Sequence, residues 1–195
     1  MSKMFKKVIS LCLVMLCVGC LSACGGQGEE KKQITIIQFV SASALDDACA
    51  GAIEALEEAG FVDGENVEIT IQNPQGDTSS LSLMAQNAVR KSDLIVAIAT
   101  PTAIAVQNEC KKQNKDVPVI FTAVTDPVAS GLVATSDAPG ANITGTNDMN
   151  PVKEQVELLK ELNPNATKLG VIYTASEPNS AIQVALVKEA CAKIG

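Results

Sequence analysis

The sequence has 195 residues, of which 22 are acidic and 15 are basic, giving a net charge of −7, and it contains neither His nor Trp. Without His, a Ser-His-Asp or Cys-His nucleophile and a His-ligated metal site are excluded. The acidic balance argues against binding nucleic acid or anionic lipid through charge. No glycine-rich phosphate-binding motif is present, so no cofactor is expected. An enzyme that uses carboxylates alone, or a Ser-Lys pair, stays open.

The first 24 residues have the organisation of an exported, lipid-modified protein. Three lysines within the first seven residues precede an apolar run over 8–18 that is too short to span a bilayer. Leu21-Ser-Ala-Cys24 follows, which is the pattern read by bacterial lipoprotein processing. We therefore expect residues 1–23 to be a lipoprotein signal peptide, Cys24 to carry the lipid, and residues 24–33 to be a flexible tether.

Two other ways of processing this segment are open. The protein could instead be secreted after cleavage at Ala23, or lipidated at Cys20, which follows a weaker version of the same pattern.

Cys49, Cys110 and Cys191 lie at apolar-face positions of predicted helices and form no CxxC pair. We expect them to be buried small hydrophobic residues, with no metal bound.

After the tether, apolar β-branched runs alternate with segments of helical period. Apolar runs without alternation are typical of strands that are buried on both faces. Strands are predicted over five segments: Ile34–Val40, Val67–Ile71, Leu94–Ala99, Val119–Val124 and Asn142–Gly145. Helices are predicted between them: one from Asp46 or Asp47 to Gly60, one capped by Asp77, and one over Thr102–Lys112.

This alternation predicts an α/β fold with a doubly wound parallel sheet of strand order 2-1-3-4-5, forming a first lobe over residues 34–147. A second α/β lobe is predicted to begin over residues 148–195, with a helix over 151–163, a strand over Leu169–Tyr173 and a helix over Pro178–Lys193. One strand and two helices cannot bury their apolar faces alone. We therefore expect a truncated second lobe and a chain that is a fragment of a longer protein. The alternative is that this tail packs onto the first lobe.

In an open doubly wound sheet, ligands bind beyond the carboxyl ends of the strands, where the strand order reverses. The predicted order places that crevice between the first and third strands, and three loops reach it. Ligand-binding residues are predicted in each loop: Ser41, Ser43, Thr100, Thr102, Thr125 and Asp126. The alternative is that these residues only cap helices and turns.

The chemistry of these loops suits a zwitterionic solute. Thr100-Pro101-Thr102 has the pattern of an N-cap, a first helical proline and a first turn. A helix start of this kind offers free N–H groups and hydroxyls to a carboxylate without Lys or Arg. Asp126 is the only acid in the three loops and is expected to hold an ammonium group.

The second unit has a topologically equivalent polar loop after its predicted strand. Its predicted ligand-binding residues are Ser176, Glu177, Asn179 and Ser180. Two lobes that face each other with such loops form a cleft that closes by hinge bending. The hinge is predicted near Gly145–Met149.

Several segments resemble one known family. Residues 97–103, 117–133 and 139–145 are similar to the ABC transporter substrate-binding lipoproteins that include tryptophan- and tyrosine-uptake members, and residues 73–77 and 173–180 fit the same pattern. The resemblance implies a two-lobed periplasmic-binding-protein-like fold, no catalysis, and delivery of solute to a membrane permease with its ATPase. It also implies cleft positions for Thr100, Thr102, Asp126, Ser176, Asn179 and Ser180. Many members have His-Pro-Ala-Leu-Asp where this chain has Ser-Ala-Leu-Asp, which leaves the ligand's identity open.

Three hypotheses for function result. The first is a lipid-anchored binding protein of an ABC importer, located on the extracytoplasmic face of the bacterial cell membrane. It would capture a small zwitterionic solute such as an amino acid, with aromatic amino acids among the candidates. The alternative is a sensory or scaffold lipoprotein of the same fold without a transporter. The third is a surface enzyme that acts through Asp and Glu. Neighbouring permease and ATPase genes would favour the first hypothesis, and a neighbouring sensor kinase gene the second.

Overall fold

The computed structural model describes residues 31–194. The predicted signal peptide, the lipidation site Cys24 and most of the tether lie outside the described residues. None of the helices between residues 31 and 194 is both long and apolar enough to cross a bilayer. The elements are β1 Lys32–Gln38, α1 Ser43–Glu58, β2 Val67–Gln72, α2 Thr78–Lys91, β3 Leu94–Ile98, α3 Thr100–Gln113, β4 Val119–Val124, β5 Ile143–Asn147, α4 Val152–Leu162 and α5 Pro178–Ile194.

The strands form a parallel sheet in the order β2-β1-β3-β4-β5, which confirms the predicted order. In register, Ile36 of β1 lies between Ile71 of β2 and Val96 of β3. The chain moves from β1 to β2 on one side and then returns to place β3 on the other side, so the strand order reverses at β1. Because the strands are parallel, the loops that follow them leave from the same edge of the sheet.

Helices cover both faces of the sheet, and this explains the unbroken apolar strands of the sequence. Ile37 and Phe121 are buried in a cluster with side chains of α2 and α3. Ile36 and Val96 are buried on the other face against α1. Ile36 and Ile37 are both fully buried although they point to opposite faces. The core around the sheet therefore has two halves, one on each side of the sheet.

The end of α1 and the start of α2 follow the capping residues in the sequence, whereas the start of α1 does not. Helix α1 begins at Ser43, three residues earlier than the acidic pair suggested. It ends at Glu58 with Ala59 as the C-cap, and Gly60 follows with a φ of +86° and donates its N–H to the Glu57 carbonyl at 2.9 Å. Helix α2 is capped by Asp77, whose carboxylate accepts the Ser80 N–H at 2.7 Å. This hydrogen bond lowers the pKa of the Asp77 carboxyl.

The three described cysteines are buried to different degrees. Cys49 and Cys110 are buried in the two halves of the core, as predicted. Desolvation raises the pKa of both thiols, which keeps them protonated and unreactive. Cys191 is only half-buried and packs against the cluster between α4 and α5, so the prediction of full burial is wrong for this residue.

Beyond β5, two helices pack on each other, and the strand predicted between them does not form. Val156 of α4 and Ala190 of α5 are buried together. The prediction of a strand over Leu169–Tyr173 is wrong for the described chain, where these residues have no regular secondary structure. A strand needs a neighbour whose backbone groups complete its hydrogen bonds, and no strand described here lies beside this segment.

The same segment borders an apolar groove. Leu169, Val171 and Tyr173 line an open cavity of about 710 Å³ between α4, α5 and the segment itself. Ile172, which falls between them in sequence, is fully exposed. Leu169, Val171 and Tyr173 are themselves about half exposed, so neither face of the segment is buried.

Glycine is required at one position where two strands meet. Gly145 of β5 lies opposite Phe121 of β4, and a Cβ at residue 145 would overlap the Phe121 carbonyl. Gly51 in α1 has open space around it instead. We expect Gly145→Ala to lower the free energy of unfolding by about 3 kcal/mol through this overlap. Gly51→Ala should raise it by about 1 kcal/mol, because alanine is the better helix former.

Urea denaturation of both variants beside the parent protein measures the two effects. A Gly145→Ala variant as stable as the parent would contradict the close approach of the β4 and β5 backbones.

Candidate ligand-binding site

The loops after β1, β3 and β4 meet at one edge of the sheet. Backbone hydrogen bonds continue beyond the strands, from the Phe39 N–H to the Ile98 carbonyl at 3.4 Å and from the Ala99 N–H to the Thr122 carbonyl at 3.0 Å. The Thr125 N–H donates to the Thr100 hydroxyl at 3.4 Å, which joins the second loop to the third. The three predicted loops therefore meet at the point where the strand order reverses, which is where a binding crevice is expected in a sheet of this kind.

The start of α3 differs by one residue from the prediction. Ala99, with φ +83° and ψ 152°, is the N-cap, so Thr100 is the first helical residue and not the cap. The positive φ turns the chain one residue earlier than a threonine cap would. The first N–H groups of α3 nevertheless remain free of helical partners, as at any helix start. These groups lie at the carboxyl edge of the sheet.

The two threonines of this turn are buried but differ in hydrogen bonding. Thr100 is 1% exposed, and its hydroxyl accepts the Thr125 N–H. Thr102 is 0% exposed, and its hydroxyl has no hydrogen-bond partner among the described residues. A buried hydroxyl without a partner costs free energy in the ligand-free protein. It is also a free donor and acceptor at a helix start.

Asp126 has the capping role that the sequence left open. One carboxylate oxygen, Oδ1, accepts the N–H groups of Val128 at 3.1 Å and Ala129 at 2.9 Å. The residue is half-buried. Oδ2 takes part in no hydrogen bond within residues 31–194. The carboxylate is thus fixed in orientation by its own turn, with its second oxygen available.

The first loop is hydrogen-bonded to two polar residues of the loop after β2, which were not predicted as part of the site. Ser41 and Ser43 are exposed. The Ser41 hydroxyl accepts from the side-chain amides of Asn73 at 3.1 Å and Gln75 at 3.4 Å. Asn73 and Gln75 follow β2, whose carboxyl end lies at the same edge. The turn Asn73-Pro-Gln-Gly was visible in the sequence, but its place beside β1 depended on the strand order.

The predicted residues 176–180 lie at the start of α5, a helix that contacts α3. Ser176 is exposed, and Asn179 and Ser180 lie in the first turn of α5. The Asn179 amide donates to Glu177 at 3.5 Å. In the described part of the chain, no hydrogen bond joins residues 176–180 to the three loops of the first lobe. Their predicted contact with ligand stays a prediction.

The predicted hinge overlaps the last strand. Gly145 to Asn147 belong to β5, and the Thr146 hydroxyl donates to that of Thr122 at 3.1 Å. The Asp148 N–H donates to the Val124 carbonyl at 2.7 Å. Only Asp148 and Met149 of the predicted hinge therefore lie outside the sheet.

The crevice has few charges. The segments 41–44, 100–102 and 125–127 contain no Lys or Arg, and Asp126 is their only acid. Among residues 31–194, no three His, Cys, Asp or Glu side chains are grouped to hold a metal ion. What the crevice offers is one fixed carboxylate, free backbone N–H groups and hydroxyls, a set of groups suited to binding a polar solute.

Comparisons with known proteins agree with this geometry. Residues 33–195 match the sequence profile of the family described as ABC transporter substrate binding protein. The chain belongs to this family. A tyrosine-binding protein of Clostridioides difficile strain R20291 is 42% identical over 194 residues, covering 92% of this chain and 55% of the relative.

Two solved structures are similar to the chain in both fold and sequence. One is an ABC domain from Streptococcus pneumonia in complex with L-Trp, with 40% identity and a TM-score of 0.77 over 85% of this chain and 55% of that one. The other is a ligand-free, open substrate-binding protein with adhesive properties from Clostridium difficile, with 45% identity and a TM-score of 0.64 over 84% and 55%. The chain thus spans about 55% of the length of these relatives. The family suggested by the sequence segments is confirmed, and its members compared here are solute-binding proteins.

The unpartnered hydroxyl of Thr102 has a measurable effect on stability. We expect Thr102→Val to raise the free energy of unfolding of the ligand-free protein by about 1 kcal/mol, because the variant keeps the shape and removes a buried polar group without a partner. Thr100→Val is the matched control, since it removes the acceptor of the Thr125 N–H and should lower stability by about 1 kcal/mol. Urea denaturation without ligand measures both. A loss of stability in Thr102→Val would show that this hydroxyl has a partner.

Proposed function

We propose that the protein is the solute-binding component of an ABC importer and captures an amino acid in a cleft that opens at the carboxyl edge of the sheet. The observation that carries the proposal is the start of α3, where free backbone N–H groups and the buried, unpartnered Thr102 hydroxyl lie together at the reversal of strand order. The protein binds and releases its ligand unchanged, without catalysis.

The amino-acid carboxylate binds at the start of α3. Backbone N–H groups and the positive end of the helix dipole stabilise an anion without a cationic side chain. The Thr102 hydroxyl, which is fully buried in the ligand-free protein, supplies a further donor when the loops around it move to admit the ligand, and thereby gains the partner that it lacks. Thr100 is less available, because its hydroxyl is already engaged with the Thr125 N–H.

The ammonium group binds Asp126. Its carboxylate is held by two N–H groups of its own turn through Oδ1, which leaves Oδ2 to accept from the ligand. A charge-assisted hydrogen bond of this kind is stronger than one between neutral groups. The exposed Ser41 and Ser43 contribute further polar contacts from the first loop.

The ligand's side chain is aromatic in this proposal, since one relative is a tyrosine-binding protein and another structure contains L-Trp. In the first lobe, Phe39 and Phe121 are packed in the core and offer no stacking surface to the crevice. Phe61 is exposed but follows the end of α1, which has crossed back to the opposite edge of the sheet. The contacts to the ring therefore come from the second lobe.

Residues 148–195 form the start of that second lobe, following a first lobe over residues 34–147. The apolar groove beside α4 and α5 and the exposed Ile172 support this division, because both are apolar surfaces that further chain would cover. The relatives are nearly twice as long as the matched region, so they contain further residues that this chain does not match. Ser176, Glu177, Asn179 and Ser180 then face the crevice from the opposite lobe.

Export and anchoring belong to the same proposal. Residues 1–23 are a signal peptide, Cys24 carries the lipid, and residues 24–33 tether the first lobe to the outer face of the cell membrane. The membrane partners are an ABC permease and its ATPase, which receive the solute.

Isothermal titration calorimetry of the full protein without its signal peptide tests the ligand assignment. Tyrosine and tryptophan should bind, and Asp126→Asn should weaken binding by about 10- to 100-fold through loss of the charged partner. Asp137→Asn, an equal charge change at an exposed loop position, should leave affinity unchanged. Tyramine and 3-(4-hydroxyphenyl)propionate, which lack the carboxylate and the ammonium respectively, should both bind far more weakly than tyrosine. Equal affinity of tyrosine and tyramine would contradict a carboxylate site at α3.

Cell fractionation tests the anchor. Cys24→Ser should release the protein from the membrane fraction and abolish metabolic labelling with a radioactive fatty acid, because the thiol that accepts the lipid is gone. Cys20→Ser is the control and should be labelled normally. Labelling lost in Cys20→Ser and kept in Cys24→Ser would move the anchor to the rival position.

A further inference from the structure

Two alanines with positive φ lie side by side at the carboxyl edge of the sheet. Ala99, between β3 and α3, has φ +83° and ψ 152°, and Ala123, in β4, has φ +54°. L-residues with a Cβ avoid this region of backbone conformation, and glycine is the residue that adopts it without strain. Both positions adjoin the crevice of the proposed site, and neither is a glycine.

The surrounding structure holds Ala99 in its conformation from three directions. Its N–H donates to the Thr122 carbonyl at 3.0 Å, in the neighbouring strand. Its carbonyl accepts the Ala103 N–H at 3.1 Å, the first hydrogen bond of α3. Its methyl group packs against the core that α2 and α3 share with the sheet. A strained conformation persists only where neighbours fix it in this way.

Ala123 is held in a similar manner on the opposite face. It packs against the cluster beneath α1, and it lies where the β4–β5 register shifts between Phe121 and Val124. Thr122 lies next to it in sequence and accepts from Ala99. The two alanines are thus coupled through one residue, with their methyl groups in opposite halves of the core.

We infer that Ala99 is a positioning residue for the ligand: its strained backbone, fixed by its methyl group in the core, sets the direction in which the first turn of α3 points its N–H groups and the Thr102 hydroxyl. Glycine at this position would remove the strain but also the methyl contact, and would let the turn move. The inference rests on the proposed function, because the ligand is the one assigned to this site. It adds a residue that touches no ligand and determines how well the site is organised.

The test compares Ala99→Gly with Asn114→Gly. Asn114 is the C-cap of the same helix, at its far end, and also has a positive φ, of +53°. Both substitutions place glycine at a residue with a positive φ at an end of α3, and only the first lies at the crevice. Ala99→Gly should raise the melting temperature of the ligand-free protein by about 3 °C and weaken tyrosine or tryptophan binding by about five-fold. Asn114→Gly should not change the affinity.

A structural role alone would move stability and affinity in the same direction, so opposite changes support the positioning role. Equal affinity of Ala99→Gly and the parent would overturn it, as would equal weakening in Asn114→Gly. Hydrogen exchange of the Ala103 amide, measured without ligand, separates this inference from the proposed function. Faster exchange in Ala99→Gly than in the parent supports the positioning role, and unchanged exchange overturns it. A parent protein that binds neither amino acid would contradict the proposed function alone.

Discussion

The parallel register of β1, β3 and β4 is the constraint on which the rest of the structure depends. It brings together three loops that are separated by tens of residues along the chain, and it continues beyond the strands through the Phe39 N–H to Ile98 and the Ala99 N–H to Thr122. Register in turn depends on burial of both faces, because a shift by one residue would exchange side chains such as Ile36 and Ile37 between two differently shaped halves of the core. The same apolar runs that stabilise the fold therefore define the crevice.

The sequence was sufficient for the strand order and for the loops that meet, and insufficient for the details of their ends. Apolar runs mark which residues are buried, so β4 was predicted to the residue, whereas β1 begins earlier and ends earlier than its apolar run because pairing with β2 and β3 fixes its ends. The positive φ of Ala99 could not be predicted, since nothing in an alanine signals it and tertiary contacts impose it. Asn73 and Gln75 could have been included once the predicted order was used to place the turn after β2 beside Ser41.

For the segment 169–173, the side-chain pattern predicted a strand that does not form. Its apolar pattern predicted a buried strand, whereas Leu169, Val171 and Tyr173 line an open groove and stay about half exposed. It says nothing about whether a neighbouring strand is present to complete the backbone hydrogen bonds. A run of apolar side chains therefore predicts which residues can be buried, whereas a strand also requires a neighbouring strand. The exposed Ile172 marks a face of the segment that nothing covers in the described chain.

A crevice without Lys or Arg has consequences for selectivity under the proposed function. A cationic side chain would attract any anion, whereas backbone N–H groups and a hydroxyl require a carboxylate in one place and orientation. Asp126 lies in the adjoining loop and repels a carboxylate that arrives without a positive charge of its own. The pair therefore favours a zwitterion over a simple carboxylic acid, and the free energy stored in the unpartnered Thr102 hydroxyl is recovered only when such a ligand binds. Under this proposal, part of the affinity comes from the unpartnered Thr102 hydroxyl, which lowers the stability of the ligand-free protein and gains a partner when the ligand binds.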